Sequence, residues 1–155
     1  MALVVSGFPG VGKSHTASYN SNVVDCDSSH FSWKVTPEGA PKERDINWPG
    51  NYIRHIQRLL DRAEYTYIVV SSHKEVREAL VSEHIPFLLV FPPAPMKQEY
   101  IQRYIDRGIA PDFVKLLEAN FDAWVAELGD QTSCTQIQLK SGQYLSDVLR
   151  MGERT

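Results

Sequence analysis

The sequence predicts a three-layer α/β fold, with a five-stranded parallel sheet in the order 2-3-1-4-5 and helices on both faces. The first observation behind this prediction is that short apolar runs rich in β-branched residues alternate with segments of helical spacing, as in βαβ units. The second is that 155 residues, 43% hydrophobic and 23% charged, suit one core of ordinary globular size. We therefore treat residues 1–155 as a single domain.

Five apolar runs are predicted to be the strands. Residues 2–6 come first and end at a glycine-rich turn, and residues 22–25 form a short second run. Residues 67–70 and 86–91 are continuous apolar runs, which a sheet buried on both faces requires. Residues 134–139 alternate in polarity and are predicted to be the last strand.

Helices are predicted between these runs, where apolar residues recur every three or four positions. Gly108 is a suitable C-terminal cap for one of them, and Pro111 suits the first turn of the next. The predicted helices span about residues 13–19, 50–62, 75–83, 96–107 and 111–128, and a closing helix follows Gly142.

A long stretch without periodicity, about residues 28–50, follows the second strand. Pro37, Gly39, Pro41 and Pro49 interrupt any regular pattern there. Because loops of this length in compact domains are usually functional, we expect this one to face the substrate.

A phosphate-binding motif lies between the first strand and the first helix. Gly7, Gly12, Lys13 and Ser14 satisfy the pattern of a glycine, four residues, and then Gly-Lys-Ser/Thr. In such a loop, backbone N–H groups converge on phosphate oxygens, the lysine reaches the β- and γ-phosphates, and the hydroxyl is a ligand of Mg²⁺. The alternative is a plain glycine turn with an exposed lysine, which the position between strand and helix disfavours.

The segment Gly7-Phe8-Pro9-Gly10-Val11-Gly12-Lys13-Ser14 resembles the P-loops of small nucleotide and polynucleotide kinases. The whole chain is similar to a kinase-like family of bacteriophages and their hosts. The resemblance implies a P-loop NTPase fold, ATP and Mg²⁺ as cofactors, and an adenine site at the turn of residues 140–143. Many relatives have a different residue order after the lysine; here His15 follows Ser14, with Thr16 next, so the hydroxyl that reaches the α-phosphate is left open. The residues expected to bind the nucleotide are Gly7, Pro9, Gly10, Val11, Gly12, Lys13, Ser14 and His15.

Asp25 and Asp27 are the candidate acids. The third strand ends without an aspartate, whereas these two lie at the end of the second strand and, being two apart in extended chain, point the same way. They resemble the Asp-x-Asp of shikimate- and gluconate-type kinases, which implies that one serves the metal and the other the acceptor hydroxyl. The alternative is a pair of aspartates that cap the next turn.

Arg103 and Arg107 lie four residues apart and therefore on one face of a predicted helix. With the lid-like region of about residues 96–112, they resemble the lid arginines of nucleoside-monophosphate kinases, which implies a catalytic role over the phosphates. A solvated basic face is an equally good interpretation.

Other side chains are weaker candidates. His73 follows the third strand and is a candidate to face the acceptor, although a single histidine is more often structural. Trp33, Trp48 and Tyr52 are candidates to stack on a base, but such aromatic residues more often pack in the core.

We therefore expect ATP- and Mg²⁺-dependent transfer of a phosphoryl group to a nucleotide or a nucleotide-like small molecule. One alternative is a kinase that phosphorylates a hydroxyl in nucleic acid. The net charge of −3 does not favour nucleic acid as a partner. The other is a nucleotide-dependent switch without such transfer. No signal peptide or membrane span is predicted, and the two cysteines form no metal motif, so the expected location is the cytoplasm, that of the host if the chain is viral.

Overall fold

The structure, a computed structural model, describes residues 2–34, 38–39 and 42–149. Its centre is a five-stranded parallel sheet in the order β2-β3-β1-β4-β5, which confirms the predicted architecture and strand order. Each strand lies within one or two residues of its predicted position. The strands are β1 Leu3–Gly7, β2 Val23–Asp25, β3 Tyr67–Ser71, β4 Phe87–Phe91 and β5 Thr135–Gln138.

The strand register brings the carboxyl ends of β1, β2 and β3 to one edge of the sheet. In β1, Gly7 is aligned with Ser71 of β3, and β3 in turn aligns its Val69 with Asp25 of β2. In parallel α/β sheets this edge is where ligands bind. The phosphate-binding motif and both candidate aspartates therefore start from the same side of the molecule.

Helices flank the sheet as predicted, with two differences. A short helix at Ser29–Ser32 was not predicted, and the closing helix spans only four residues. A 3₁₀ turn at Ala94–Met96 leads into α5, which accounts for the predicted start near residue 96. The helices are α1 Lys13–Tyr19, α2 Ser29–Ser32, α3 Gly50–Arg62, α4 Lys74–Ser82, α5 Lys97–Asp106, α6 Pro111–Gly129 and α7 Leu145–Val148.

The loop predicted over residues 28–50 is partly ordered by backbone contacts. It contains α2 and an isolated antiparallel bridge between Trp33 and Arg44. The side chain of Asn51 donates a hydrogen bond to the carbonyl of Phe31 and so ties α2 to α3. Pro37 and Pro41, which we used to predict the loop, lie outside the described residues, as do residue 1 and residues 150–155 of the predicted domain.

The core lies on both faces of the sheet. Val4, Val5, Ile68, Val69 and Val70 are almost completely buried, as continuous apolar runs predict for central parallel strands. None of the helices in the described part of the chain has the length and apolar character that a membrane span needs.

Candidate active site

The loop between β1 and α1 has a conformation that depends on glycine. Gly10 and Gly12 have φ angles of 94° and 93°, in the left-handed region. A Cβ atom at Gly10 would lie 2.9 Å from the ring of Tyr104, and one at Gly12 would lie 3.1 Å from the ring of Tyr144. Larger residues are therefore excluded at both positions by backbone strain and by space.

This loop presents a group of backbone N–H donors without protein acceptors. Among the described residues, no hydrogen-bond acceptor is found for the amides of five residues at the loop and the first turn of α1. The first amides of a helix point out of its N-terminal end, where the helix dipole is positive. Together they form a site suited to an anion. The five residues are Gly10, Gly12, Lys13, Ser14 and His15.

The side chain of Lys13 folds back along the loop. Its Nζ donates hydrogen bonds to the carbonyls of Gly7, at 2.7 Å, and Phe8, at 3.4 Å. Desolvation lowers the pKa of Lys13 to about 8, an effect that Asp25 opposes and Arg107 reinforces. A nearby anion would raise this pKa again, so the site favours a negatively charged ligand.

Ser14 and Asp25 are in direct contact. The hydroxyl of Ser14, in the first turn of α1, donates a hydrogen bond of 2.8 Å to Oδ2 of Asp25, at the end of β2. The two residues come from separate elements and are brought together only by the sheet order. A hydroxyl and a carboxylate oxygen are both suitable ligands for Mg²⁺.

Asp27 lies beside this pair but is held differently. Its Oδ1 accepts a hydrogen bond of 2.9 Å from the amide of Ser29, so Asp27 also caps the turn before α2, as the alternative interpretation predicted. Partial burial raises the pKa of Asp27, but the hydrogen bonds from Ser29 and the charges of His30 and Lys13 outweigh it, and the pKa lies below its ordinary value. Asp27 is therefore ionised at neutral pH.

The side chains of Ser14, Asp25 and Asp27 are better suited to hold a Mg²⁺ ion that is also bound to a nucleotide than to hold a metal ion by themselves. Within the described ranges, no group of three or more His, Cys, Asp or Glu side chains could hold a metal ion. Mg²⁺ bound to a nucleotide needs one or two protein oxygens, since phosphates and water supply the rest. Ser14 and Asp25 meet that requirement, with Asp27 nearby.

Arg103 packs against the phosphate-binding loop from outside the cavity. Its guanidinium donates hydrogen bonds of 2.9 Å to the carbonyls of Gly10 and Gln143 and pairs with Glu99 at 2.9 Å. It also lies between the rings of Tyr100 and Tyr144, 4.3 and 3.9 Å from their centroids. The side chain is only 8% exposed.

This position corrects the expectation that Arg103 is a lid residue over the phosphates. A guanidinium with three bonded acceptors and two stacked rings is fixed in place, and it does not line the cavity. Arg107 differs, although it is only one turn away. It is exposed and close enough to Lys13 to lower the pKa of that lysine, and no ion pair of Arg107 is found in the part of the chain that the structure describes. Neither arginine lines the cavity, but Arg107 is the exposed one of the two.

The turn at residues 140–143 adjoins the loop through the same network. Glu99 accepts hydrogen bonds from the hydroxyl of Ser141 and from the amide of Gly142. Next along the chain, the amide of Leu145 donates a hydrogen bond of 2.8 Å to the carbonyl of Val11. The turn suggested for adenine is therefore held against the phosphate-binding loop.

A cavity of about 680 Å³ opens beside the loop. Lys13, Ser14, Asp25 and Asp27 line one end of it. The remainder lies between the ends of β2 and β3 and one face of α6. Its further lining residues include Ser71, Ser72, His73, Lys74, Glu75, Arg77, Phe113, Leu116, Leu117, Trp124 and Glu127.

His73 lines the cavity, as suggested from its position after β3. Its ring nitrogen Nδ1 is 3.0 Å from the hydroxyl of Ser71. Desolvation lowers the pKa of His73, an effect that Glu75 opposes, so the imidazole is neutral at pH 7.

The aromatic residues suggested for base stacking serve the packing of the long loop instead. Tyr52 is fully buried, and its hydroxyl donates a short hydrogen bond to the carbonyl of Cys26. Trp48 packs 5.6 Å from Tyr52, and Trp33 stacks under the guanidinium of Arg44. None of these three aromatic side chains lines the cavity.

The residues after Ser14 show which hydroxyls are accessible. His15 is exposed, and its ring packs 4.7 Å from that of Tyr19. The part of His15 that belongs to the group of unpaired donors is therefore its backbone amide. The Thr16 hydroxyl is buried and has no hydrogen-bond partner among the described residues. Ser14 is therefore the exposed hydroxyl of this turn.

Sequence reasoning missed the wall that α6 contributes to the cavity. Phe113, Leu116 and Trp124 leave 50%, 49% and 37% of their surface exposed. The signal was present, because α6 carries apolar residues on more than the one face that packs on the sheet. Arg77 was also missed. It is 4% exposed and joins the end of β3 to α6 through Ser72, Glu127 and Gln131.

Comparison with protein-family models gave no match, and a search of curated proteins found no significant relative. The predicted resemblance to P-loop kinases therefore stays a prediction.

Proposed function

We propose that this protein is a P-loop kinase, which transfers the γ-phosphate of ATP to a hydroxyl group of a nucleotide-like small molecule in the presence of Mg²⁺. The observation that carries the proposal is the group of five unpaired amides around Lys13, directly beside the Ser14–Asp25 pair. A triphosphate matches it in charge and in its number of acceptor oxygens. The strand order and the loop after β1 support a P-loop NTPase fold.

The loop residues would bind and neutralise the phosphates. The five unpaired amides would donate to phosphate oxygens, and Lys13 would move from the loop carbonyls to the β- and γ-phosphates. Arg107 would add a second cation near the transferring group.

Asp25 and Asp27 would have different roles, one in metal binding and the other in proton transfer. Ser14 and Asp25 would hold Mg²⁺, which would supply positive charge to neutralise the phosphates. Asp27 would accept the proton of the acceptor hydroxyl as its oxygen bonds to the γ-phosphorus. The bond from that phosphorus to the β–γ bridging oxygen breaks, and ADP leaves with its electron pair.

The adenine would lie at the turn of residues 140–143. Glu99 and Arg103 fix this turn to the phosphate-binding loop, and Tyr144 packs over Gly12 with 40% of its surface still exposed. An exposed aromatic ring beside the loop is a suitable surface for a base.

Calorimetric titration with Mg-ATP tests the binding step. Wild-type protein should bind Mg-ATP, and Lys13→Ala should weaken binding by at least about tenfold, or 1.4 kcal/mol. Lys115→Ala is the matched control, because Lys115 is exposed on α6 and does not line the cavity. No uptake of Mg-ATP by folded wild-type protein, or equal affinity in Lys13→Ala, would refute the proposal.

The transfer step is tested with γ-labelled ATP and a panel of nucleosides, nucleotides and oligonucleotides. Label in a small-molecule product supports the proposal. Label in an oligonucleotide would instead support the nucleic-acid alternative, and release of inorganic phosphate without any labelled product would support a nucleotide-dependent switch.

A further inference from the structure

The part of the cavity away from the phosphate-binding loop has an apolar wall. Phe113, Leu116 and Trp124 of α6 line it and remain partly exposed, while the adjacent face of the same helix buries Phe121 and Val125 in the core. Exposed apolar side chains inside a cavity of this volume are suited to contact the flat ring of a ligand.

Carboxylates lie on the polar side of this part of the cavity. Glu75 and Glu127 line this part, and Asp25 and Asp27 line the end of the cavity beside the phosphate-binding loop. These groups attract hydroxyl donors and repel phosphate groups.

The cations of the same region already have protein partners. Arg77 uses Nε on the carbonyl of Ser72, Nη1 on Gln131 and Nη2 on Glu127. Lys74 is paired with Glu78 at 3.9 Å. Lys13 belongs to the phosphate-binding loop and Lys74 is exposed, so Arg77 is the buried cation of this part of the cavity, and its guanidinium is already paired.

We propose that the acceptor is an uncharged molecule that carries a hydroxyl group and a flat ring, the chemistry of a nucleoside, and that nucleoside monophosphates are rejected. This inference rests on the proposed kinase function and specifies its substrate class. The apolar wall of α6 binds the ring, and the carboxylates orient the hydroxyl group. A monophosphate would bring nearly two negative charges toward carboxylates that line the cavity, where the buried cation Arg77 is already paired.

The first experiment compares each nucleoside with its own 5′-monophosphate by calorimetry, with the protein both free and loaded with Mg-ADP. At least one nucleoside should bind at least about tenfold more tightly than its monophosphate. Equal or tighter binding of the monophosphate overturns the inference, as does the absence of nucleoside binding up to millimolar concentration. Binding of Mg-ADP is measured in a separate titration. If Mg-ADP does not bind, that result counts against the kinase function and not against the proposed class of acceptor.

The second experiment tests the apolar wall. Phe113→Ala and Trp124→Ala should each weaken nucleoside binding by about tenfold and leave Mg-ADP binding unchanged. Ile105→Ala is the matched control, because Ile105 is 54% exposed on α5 but does not line the cavity. Circular dichroism confirms that each variant is folded. Unchanged nucleoside affinity in both folded wall variants overturns the inference.

The third experiment tests the role of charge. Glu75→Lys places a cation in the acceptor region and should shift the ratio of monophosphate to nucleoside affinity by about fivefold in favour of the monophosphate. Glu83→Lys, at the residue that follows the same helix and outside the cavity lining, should leave that ratio unchanged. An equal ratio in wild type and both variants overturns the inference.

Discussion

Arg103→Met tests whether the arginine beneath the phosphate-binding loop fixes the loop in its binding conformation. Methionine retains much of the apolar contact with Tyr100 and Tyr144 but removes the guanidinium. The carbonyls of Gly10 and Gln143 then lose their donor. Both the stability of the protein and the affinity for Mg-ATP should fall.

The expected size of the effect follows from these contacts. Each hydrogen bond from a charged donor contributes about 1.5–3 kcal/mol, and Arg103 donates two of them to backbone carbonyls. Glu99 loses its ion pair but keeps the donors Ser141 and Gly142, which limits the penalty. With partial relaxation, we expect a net loss of about 3 kcal/mol, or about 6–12 °C in melting temperature for a domain of this size.

Thermal unfolding followed by circular dichroism measures the first effect, and calorimetry with Mg-ATP measures the second. Lys115→Met is the control for both effects, because Lys115 is exposed on α6, does not line the cavity and should change stability by no more than about 0.5 kcal/mol. If Arg103→Met melts within about 2 °C of wild type and binds Mg-ATP equally well, the reasoning about this arginine is wrong.

Three further predictions concern single side chains. Asp25→Asn should weaken Mg-ATP binding by about tenfold and leave metal-free ATP binding nearly unchanged, as compared by calorimetry with and without Mg²⁺; equal loss in both conditions would contradict its role. Cys26 is 5% exposed and burial raises the pKa of its thiol to about 12, so a disulfide reagent at pH 8 should modify the less buried Cys134 first, as mass spectrometry can show. The NMR titration midpoint of His73 should lie below 6.5 and fall further in Glu75→Gln, since Glu75 raises that pKa. A lowered pKa means that the unfolded chain binds the proton first, so His73 should reduce stability as pH falls from 6.5 to the folded-state pKa.

The fold was readable from the sequence because its strongest signals are local. Continuous apolar runs such as residues 67–70 identify strands buried on both faces, and the glycine motif fixes the boundary between β1 and α1. The helix Ser29–Ser32 was missed because four residues are too few to show a helical period.

The sequence predicted the residues of the site only where a single continuous segment contains them. Spacing placed Arg103 and Arg107 on one face of a helix, but it could not show that the first is buried and the second exposed. That difference depends on Tyr144 and Gln143, which are about forty residues away in the chain. A local signal did exist, because Glu99 lies four residues before Arg103 and pairs with it.

The apolar wall of α6 was missed for a related reason. A helix with apolar residues on two faces is normally interpreted as one that is packed on both. Only the tertiary arrangement shows that Phe113, Leu116 and Trp124 face a cavity rather than a neighbouring element.

The path of the chain explains why the candidate metal ligand lies at the end of β2 when the adjacent strand β3 has no acid at its end. The helix α1 connects β1 to β2, contacts β2 directly and carries Ser14 in its first turn. Ser71 and Ser72, at the end of β3, line the cavity beside this pair. Asp25 can therefore reach Ser14 at 2.8 Å, and an acid at the end of β3 is not needed for the same contact.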